Sequence, residues 1–253
     1  MSANATEAHP TTAAEKEMTL VGHLAELRTR IVRILIYTIV GTGASWMFYE
    51  QSFSFLSSPI MQFLNENGSK FLLTGIAEGF AIKIQICLLM GIVFALPLIT
   101  IEGWMFIVPG LSKQERRAVY LVAPLSVILF GLGIVMAYKV LPMGIRWLVS
   151  QNPPEAAFMP SVQQTILFIL KMYLAFGILF QLPVVIMFLT KIGLVNSSML
   201  KSYWRQAIVI MGIVAALVTP SGDAFTMILM TVPLIILYAM SIGLAKLIER
   251  KSA

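Results

Sequence analysis

Charged residues divide the chain into long neutral, apolar runs. Ile34–Tyr49 is 16 residues without a charge, Ile84–Ile101 is 18, Ala118–Tyr138 is 21, Met172–Thr190 is 19, Gln206–Gly222 is 17 and Ala224–Ala245 is 22. A helix rising about 1.5 Å per residue needs roughly 20 apolar residues to cross a hydrocarbon core of about 30 Å. Backbone polar groups cannot stay unpaired in lipid, so the six runs predict six transmembrane helices. With their flanks the spans fall at about 31–49, 80–107, 118–141, 164–189, 205–219 and 224–245. The fifth is trimmed by the turn signal Thr219-Pro220-Ser221-Gly222, which alone joins it to the sixth and predicts a tight helical hairpin. Pro97, Pro109, Pro124, Pro183 and Pro233 punctuate the spans. Each interior proline removes an i→i−4 bond, which predicts bent helices and a curved bundle.

Composition supports the membrane reading. The chain is 58% hydrophobic and only 12% charged, with a mean hydropathy of +0.86, where soluble domains carry about 25% charged residues. Thirteen of the 18 basic residues lie before span 1, between spans 2 and 3, between spans 4 and 5, or after span 6. The positive-inside rule therefore predicts both termini in the cytoplasm.

Residues 1–17 contain no apolar core of a cleavable signal and predict a disordered cytoplasmic N-terminus. Residues 18–248 are expected to form a single membrane domain, and 249–253 a cytoplasmic tail. Leu20, Leu24, Leu27 and Ile31 recur at helical spacing behind Thr19, a candidate cap, which predicts an amphipathic helix leading along the interface into span 1. On the outer side, Glu50–Gly79 predicts a short interfacial helix interrupted by Pro59. Leu141–Val162, with Pro142, Pro153, Pro154 and Pro160, predicts a turn-rich cap.

Enzyme chemistry is disfavoured by the residues available. The chain has two histidines, His9 and His23, both before span 1, and one cysteine, Cys87, in the middle of an apolar run. That excludes a disulfide framework, offers no His/Cys metal cluster and leaves no histidine inside a span to serve as the base of a serine nucleophile. A thiol in apolar surroundings is unreactive.

Glu26 and Glu115 are carboxylates on the cytoplasmic side, each set among basic residues. Each can serve as a solvated partner of a neighbouring arginine, worth about 0–1 kcal/mol. Together they can also form a receptor for a basic ligand, favouring the planar fork of arginine over lysine. Polar groups within the bilayer are functional candidates by default. Glu102 lies inside span 2 near its cytoplasmic end, where it either snorkels or faces a wet groove. Gln181 precedes Pro183, whose freed carbonyl its amide can satisfy. Asp223 fits an N-cap for span 6. Lys83 and Lys171 sit near outer span ends and read as snorkelling side chains.

Taken together, the motifs resemble the TatC family, the multi-span core of the twin-arginine protein translocase. They are His-Leu-Ala-Glu-Leu-Arg-Thr-Arg (23–30), Ser-Pro-Ile (58–60), Glu-Gly-Phe (78–80) and Leu-Pro-Leu with Trp-Met-Phe-Ile-Val-Pro-Gly-Leu and Lys-Gln-Glu-Arg-Arg (96–117). Phe-Gly-Ile-Leu-Phe-Gln-Leu-Pro-Val (176–184) and Thr-Pro-Ser-Gly-Asp-Ala-Phe-Thr-Met (219–227) follow. The likeness runs from Met18 to about Ile248. It implies an all-α integral membrane protein with six transmembrane helices in a glove-like bundle, N-in and C-in, in the bacterial cytoplasmic (inner) membrane.

The resemblance also implies a receptor for the twin-arginine signal peptides of folded cargo. Such a receptor recruits TatA/TatB-type single-span subunits and further TatC copies amid membrane lipids, for export driven by the proton-motive force. It implies no cofactor, no metal, no nucleic acid and no enzymatic step. By motif position, Glu26, Glu115, Arg28 and Phe106 match signal-peptide-binding residues, while Gln181, Glu102 and Asp223 are the intramembrane polar or partner-contact candidates. The chain departs from the family at Gln181, where members usually carry a glutamate, and at Ala239, where many carry an acidic residue. The alternatives are a small-solute secondary transporter or channel, for which an internal repeat is missing, and a scaffold in which Glu26 and Glu115 make only local salt bridges.

Overall fold

A computed structural model describes the backbone of residues 13–66, 68–108, 113–153, 158–219 and 221–252. Among these it describes every side chain except 13–21, 113–118, 120, 121 and 250–252. The described residues form nine helices, with one isolated parallel bridge, Leu72 to Ser161, as the sole β pairing. The helices are α1 (Ala13–Met47), α2 (Tyr49–Glu66), α3 (Glu78–Ile107), α4 (Lys113–Ser150), α5 (Val162–Leu179), α6 (Leu182–Lys191), α7 (Ser197–Ser202), α8 (Trp204–Val218) and α9 (Ala224–Ser252).

Four stretches are long and apolar enough to cross a membrane: Glu78–Ile107, Val122–Ser150, the broken pair α5–α6 over Val162–Lys191, and Ala224–Glu249. The pair α1–α2 passes the same length and hydropathy requirement only jointly, and it bends by 85° at the break. Helix α8, at 15 residues, is apolar but shorter. At about 1.5 Å per residue it spans roughly 22 Å, less than a hydrocarbon core. The α5–α6 span is half buried while the others are a third buried or less, so it is the central element of the bundle. Ile166, Ile169, Leu170, Met172 and Phe176 supply its buried side.

Helix packing follows from small residues and kinks. α1 packs along α3, α4 along α5, and α9 against α6, α7 and α8. A Cβ on Gly41 would stand 2.4 Å from the Gly91 carbonyl oxygen, and one on Gly91 2.5 Å from the Thr42 nitrogen. Only glycine lets the α1 and α3 backbones approach this closely, and in lipid such dispersion contact is a main source of helix association. The α8–α9 hairpin turns at Gly222, whose φ of 64° favours glycine.

Several expectations are corrected. α2 runs through Pro59 without interruption. The proline frees the Phe55 carbonyl, and the Ser58 hydroxyl donates to it at 2.8 Å, so the helix is locally repaired. The turn-rich cap does not begin at Leu141, because α4 continues through Pro142 to Ser150. Helix α1 already includes Ala13–Glu17, a stretch of good helix formers. Thr19 therefore lies within it instead of capping it, while the expected disorder of residues 1–12 lies outside the described residues. Lys83 does not simply snorkel: its ammonium lies 4.6 Å from the Trp46 ring centroid and 5.0 Å from that of Tyr49, a double cation–π seat. Lys171 is exposed.

Candidate functional site

One end of the bundle gathers the start of α1, the end of α3, the α6–α7 turn and the end of α9. His23 stacks on Phe106 with centroids 4.4 Å apart, Trp104 meets Phe188 edge-on at 5.1 Å, and the Glu249 carboxylate accepts from the Ser197 hydroxyl at 2.6 Å and the Ser197 amide at 2.5 Å. The Tyr238 hydroxyl donates to the Leu200 carbonyl at 2.8 Å, tying α7 to α9.

The charged centre lies between α1 and α3. Glu26 and Arg30 are one helical turn apart, so their side chains share a face. Arg30 donates from Nε to Glu26 Oε1 at 3.0 Å, and its Nη2 also bonds that oxygen. The remaining arm of the fork, Nη1, reaches Glu102 Oε2 at 2.9 Å. Arg33 Nη1 lies 3.5 Å from Glu102 Oε1, and the Tyr37 hydroxyl is 3.4 Å from the same oxygen. Glu102 is 8% exposed, so its charge is stable there only because cations face it. It therefore neither snorkels nor faces a wet groove. An α1 residue 72 positions away supplies the partner that the sequence left unidentified.

Glu26 is 28% exposed, and its second oxygen, Oε2, lies 3.9 Å from His23 Nδ1. That oxygen is the more open half of the carboxylate, since Oε1 carries both contacts from Arg30. The His23–Phe106 stack brings the α1 motif against the end of α3. Arg28 is exposed. Glu115 lies in the first turn of α4, and its side chain lies outside the described residues, as do those of Arg116 and Arg117.

A second polar group sits deeper. Gln181 occupies the break between α5 and α6. Its amide nitrogen donates to the Ser126 carbonyl of α4 at 3.1 Å and approaches the Gly177 carbonyl at 3.4 Å. The carbonyl that Pro183 frees is that of Leu179, so the amide satisfies a different carbonyl of the broken helix and also clamps α5 to α4. Trp104 Nε1 donates to Ser126 Oγ at 2.9 Å. Gln181, Trp104, Thr100, Ile107, Phe130 and Ile178 line an open groove of about 320 Å³, mostly apolar with a few convergent polar groups.

Asp223 caps α9: its Oδ1 accepts from the Thr226 amide at 2.7 Å, and Oδ2 bonds the Ser221 hydroxyl. Burial pushes this carboxyl up, but the bonds from Ser221 and Thr226 outweigh it and hold it below the usual aspartate range. Ala239 is exposed on α9. Among the described residues no three His, Cys, Asp or Glu side chains are grouped to hold a metal ion.

Sequence reasoning missed the roles of Arg30 and His23. The i,i+4 spacing of Glu26 and Arg30 announced their contact, but nothing in the sequence announced the reach of Arg30 to Glu102 or the ring pair of His23 with Phe106.

The chain is similar to known proteins along most of its length. The family model described as Sec-independent protein translocase protein (TatC) matches residues 22–233. A Sec-independent protein translocase protein TatC of Desulforapulum autotrophicum is 37% identical over 238 residues, covering 94% of this chain and 87% of that protein. One of Aquifex aeolicus is 35% identical, covering 92% and 97%. A crystal structure of the twin arginine translocase receptor TatC superposes with a TM-score of 0.77 at 35% identity, covering 90% of this chain and 99% of the other.

Proposed function

The chain belongs to the TatC family of Sec-independent protein translocase proteins, and on that premise we propose that it is the receptor and core subunit of a twin-arginine translocase. It is a translocase component and not an enzyme. In this reading it binds the twin-arginine signal peptides of folded proteins and assembles with TatA/TatB-type single-span subunits and further copies of itself. Export is driven by the proton-motive force. The observation that carries the reading is the likeness, over nine tenths of the chain, to a solved protein described as the twin arginine translocase receptor.

The protein lies in the bacterial cytoplasmic membrane with six spans and both termini cytoplasmic. Two features of the fold support this: α1 begins and α9 ends at the same end of the bundle, and α8 is uncharged and almost wholly apolar from Ala207 to Val218. The end carrying Glu26 then faces the cytoplasm and meets the signal peptide first. Glu26 and Glu115 accept guanidinium bonds from the arginine pair, and each charged bond contributes roughly 1.5–3 kcal/mol where desolvated. Phe106, held by His23, offers a ring face to a guanidinium or to the apolar residues that follow. Arg28 repels loosely basic sequences. The apolar stretch of the signal lies along the groove at Gln181, which presents a hydrogen-bonding group without a titratable charge.

The test is peptide titration of the purified full-length protein. Glu26→Gln and Glu115→Gln each weaken a twin-arginine peptide by about tenfold or more, the worth of one charged bond, and weaken a twin-lysine control less. Equal losses for both peptides, or none for either, would overturn the reading.

A further inference from the structure

We propose that Arg30 is an internal ligand of the recognition site and Glu102 its holding carboxylate, so that signal binding is a guanidinium exchange. The inference rests on the reading of Glu26 as a signal-binding residue. The geometry is that of an occupied receptor. Arg30 sets two donors, Nε and Nη2, on Glu26 Oε1, the contact a signal arginine would make. Its third donor already rests on Glu102 at 2.9 Å. Its side chain is 12% exposed, so it is held in place and not loosely adsorbed.

Glu102 can take the whole charge of Arg30. It is buried, it bonds Arg30 through Oε2, and its other oxygen faces Arg33 at 3.5 Å, a residue that is 53% exposed and free to swing into water. An incoming guanidinium that takes Glu26 leaves Arg30 paired to Glu102, with no buried charge uncompensated. The arriving guanidinium adds one positive charge to the α1–α3 cluster, and Arg33, already 53% exposed, offsets it by moving into water.

Such an exchange sets an affinity threshold. Were Glu26 empty, any cation would gain from its full charge. Because Arg30 is already there, every ligand that competes for Glu26 loses the same factor in apparent affinity. An arginine pair, whose planar forks bond a carboxylate better than the point charge of lysine, stays above that threshold where a lysine pair falls below it. Arg30 is thus a built-in competitor, and Glu102 positions it.

The test uses the full-length protein in nanodiscs and two synthetic signal peptides, one with paired arginines and one with paired lysines. The double variant Arg30→Gln/Glu102→Gln removes the internal ligand and its counter-charge together. Both peptides bind more tightly to it, each by about tenfold, the value of one charge-assisted bond. Glu102→Gln alone leaves Arg30 with Glu26 as its carboxylate and weakens both peptides. A double variant with unchanged or weaker affinities for the two peptides would overturn the exchange. If that variant does not fold, Arg30→Lys decides, since it keeps the charge but loses the fork. It tightens arginine-peptide binding if the exchange operates, and leaves it unchanged or weakens it if Arg30 is only structural. Glu26→Gln is the control for the underlying reading. If it does not affect binding, the receptor site is misplaced. If it removes binding while the Arg30 variants leave both affinities unchanged, only the exchange fails.

Discussion

Helix α3 carries a nearly buried carboxylate at each end, and the two are satisfied in opposite ways. Glu78, 7% exposed at its first residue, takes neutral donors. The Thr74 hydroxyl lies at 2.8 Å, the Gly75 amide at 3.1 Å and the Ser161 hydroxyl at 3.2 Å, with the Thr74 amide as a further donor. Glu102, at the other end, is held mainly by two guanidinium groups. The first arrangement is a lock. Its donors are backbone and short side chains fixed by the α2–α3 loop and the cap of α5, and no ligand can substitute for them. The second is a junction. Its partners are long-armed cations, chemically alike to the arginines proposed as cargo signals. A buried charge that must be stable needs saturated, local, neutral donors. One that must be negotiable needs partners that a ligand can imitate.

This difference has measurable consequences. Glu102→Ala leaves Arg30 and Arg33 facing a cavity and lowers unfolding stability by about 3 kcal/mol, since one partner of a buried pair is removed. Denaturant titration of the detergent-solubilised protein measures this, and a loss well below that figure would show the cluster to be wetter than its burial implies. Ser161→Ala acts at the locked end. It removes a donor to Glu78 and the side chain that caps α5, where Ser161 Oγ accepts from the Gln164 amide at 3.5 Å. The expected loss is about 1 kcal/mol, with signal-peptide affinity unchanged. A change in affinity would mean that the two ends of α3 are coupled.

The smallest effect is at the α8–α9 turn, where Asp223 is another carboxylate held by neutral donors. Its folded pKa lies below the ordinary value, so the stability it contributes is present at neutral pH. That contribution is lost as pH drops below about 4, the unfolded value, toward the folded one. Asp223→Asn keeps a capping oxygen and removes that acid dependence, which a thermal-unfolding series between neutral and acid pH would detect.

Much of this was legible in the sequence because it depends on neighbours along the chain. Uncharged runs gave the apolar helices, since lipid forces each to satisfy its own backbone. Asp223 three residues before Thr226 announced a cap, and Glu26 four residues before Arg30 announced a shared face. Even so, local rules misjudged Pro59, because the Ser58 hydroxyl that repairs the helix is a matter of rotamer and not of residue type. They end α4 at Leu141, because by local rules Pro142 breaks a helix, whereas α4 runs on to Ser150.

By itself, then, the sequence determined that the chain is a bundle of apolar helices, where its basic residues cluster and which motifs make it a TatC-family protein. All of these follow from period, charge and short-range capping. The tertiary structure alone decided that Glu102 meets Arg30, that Phe106 lies on His23 and that Gln181 clamps Ser126. Those contacts join residues tens of positions apart, and they exist because the α1 and α3 backbones can touch at Gly41 and Gly91 and because α5 breaks where α4 passes. No periodicity along one helix encodes the register of another.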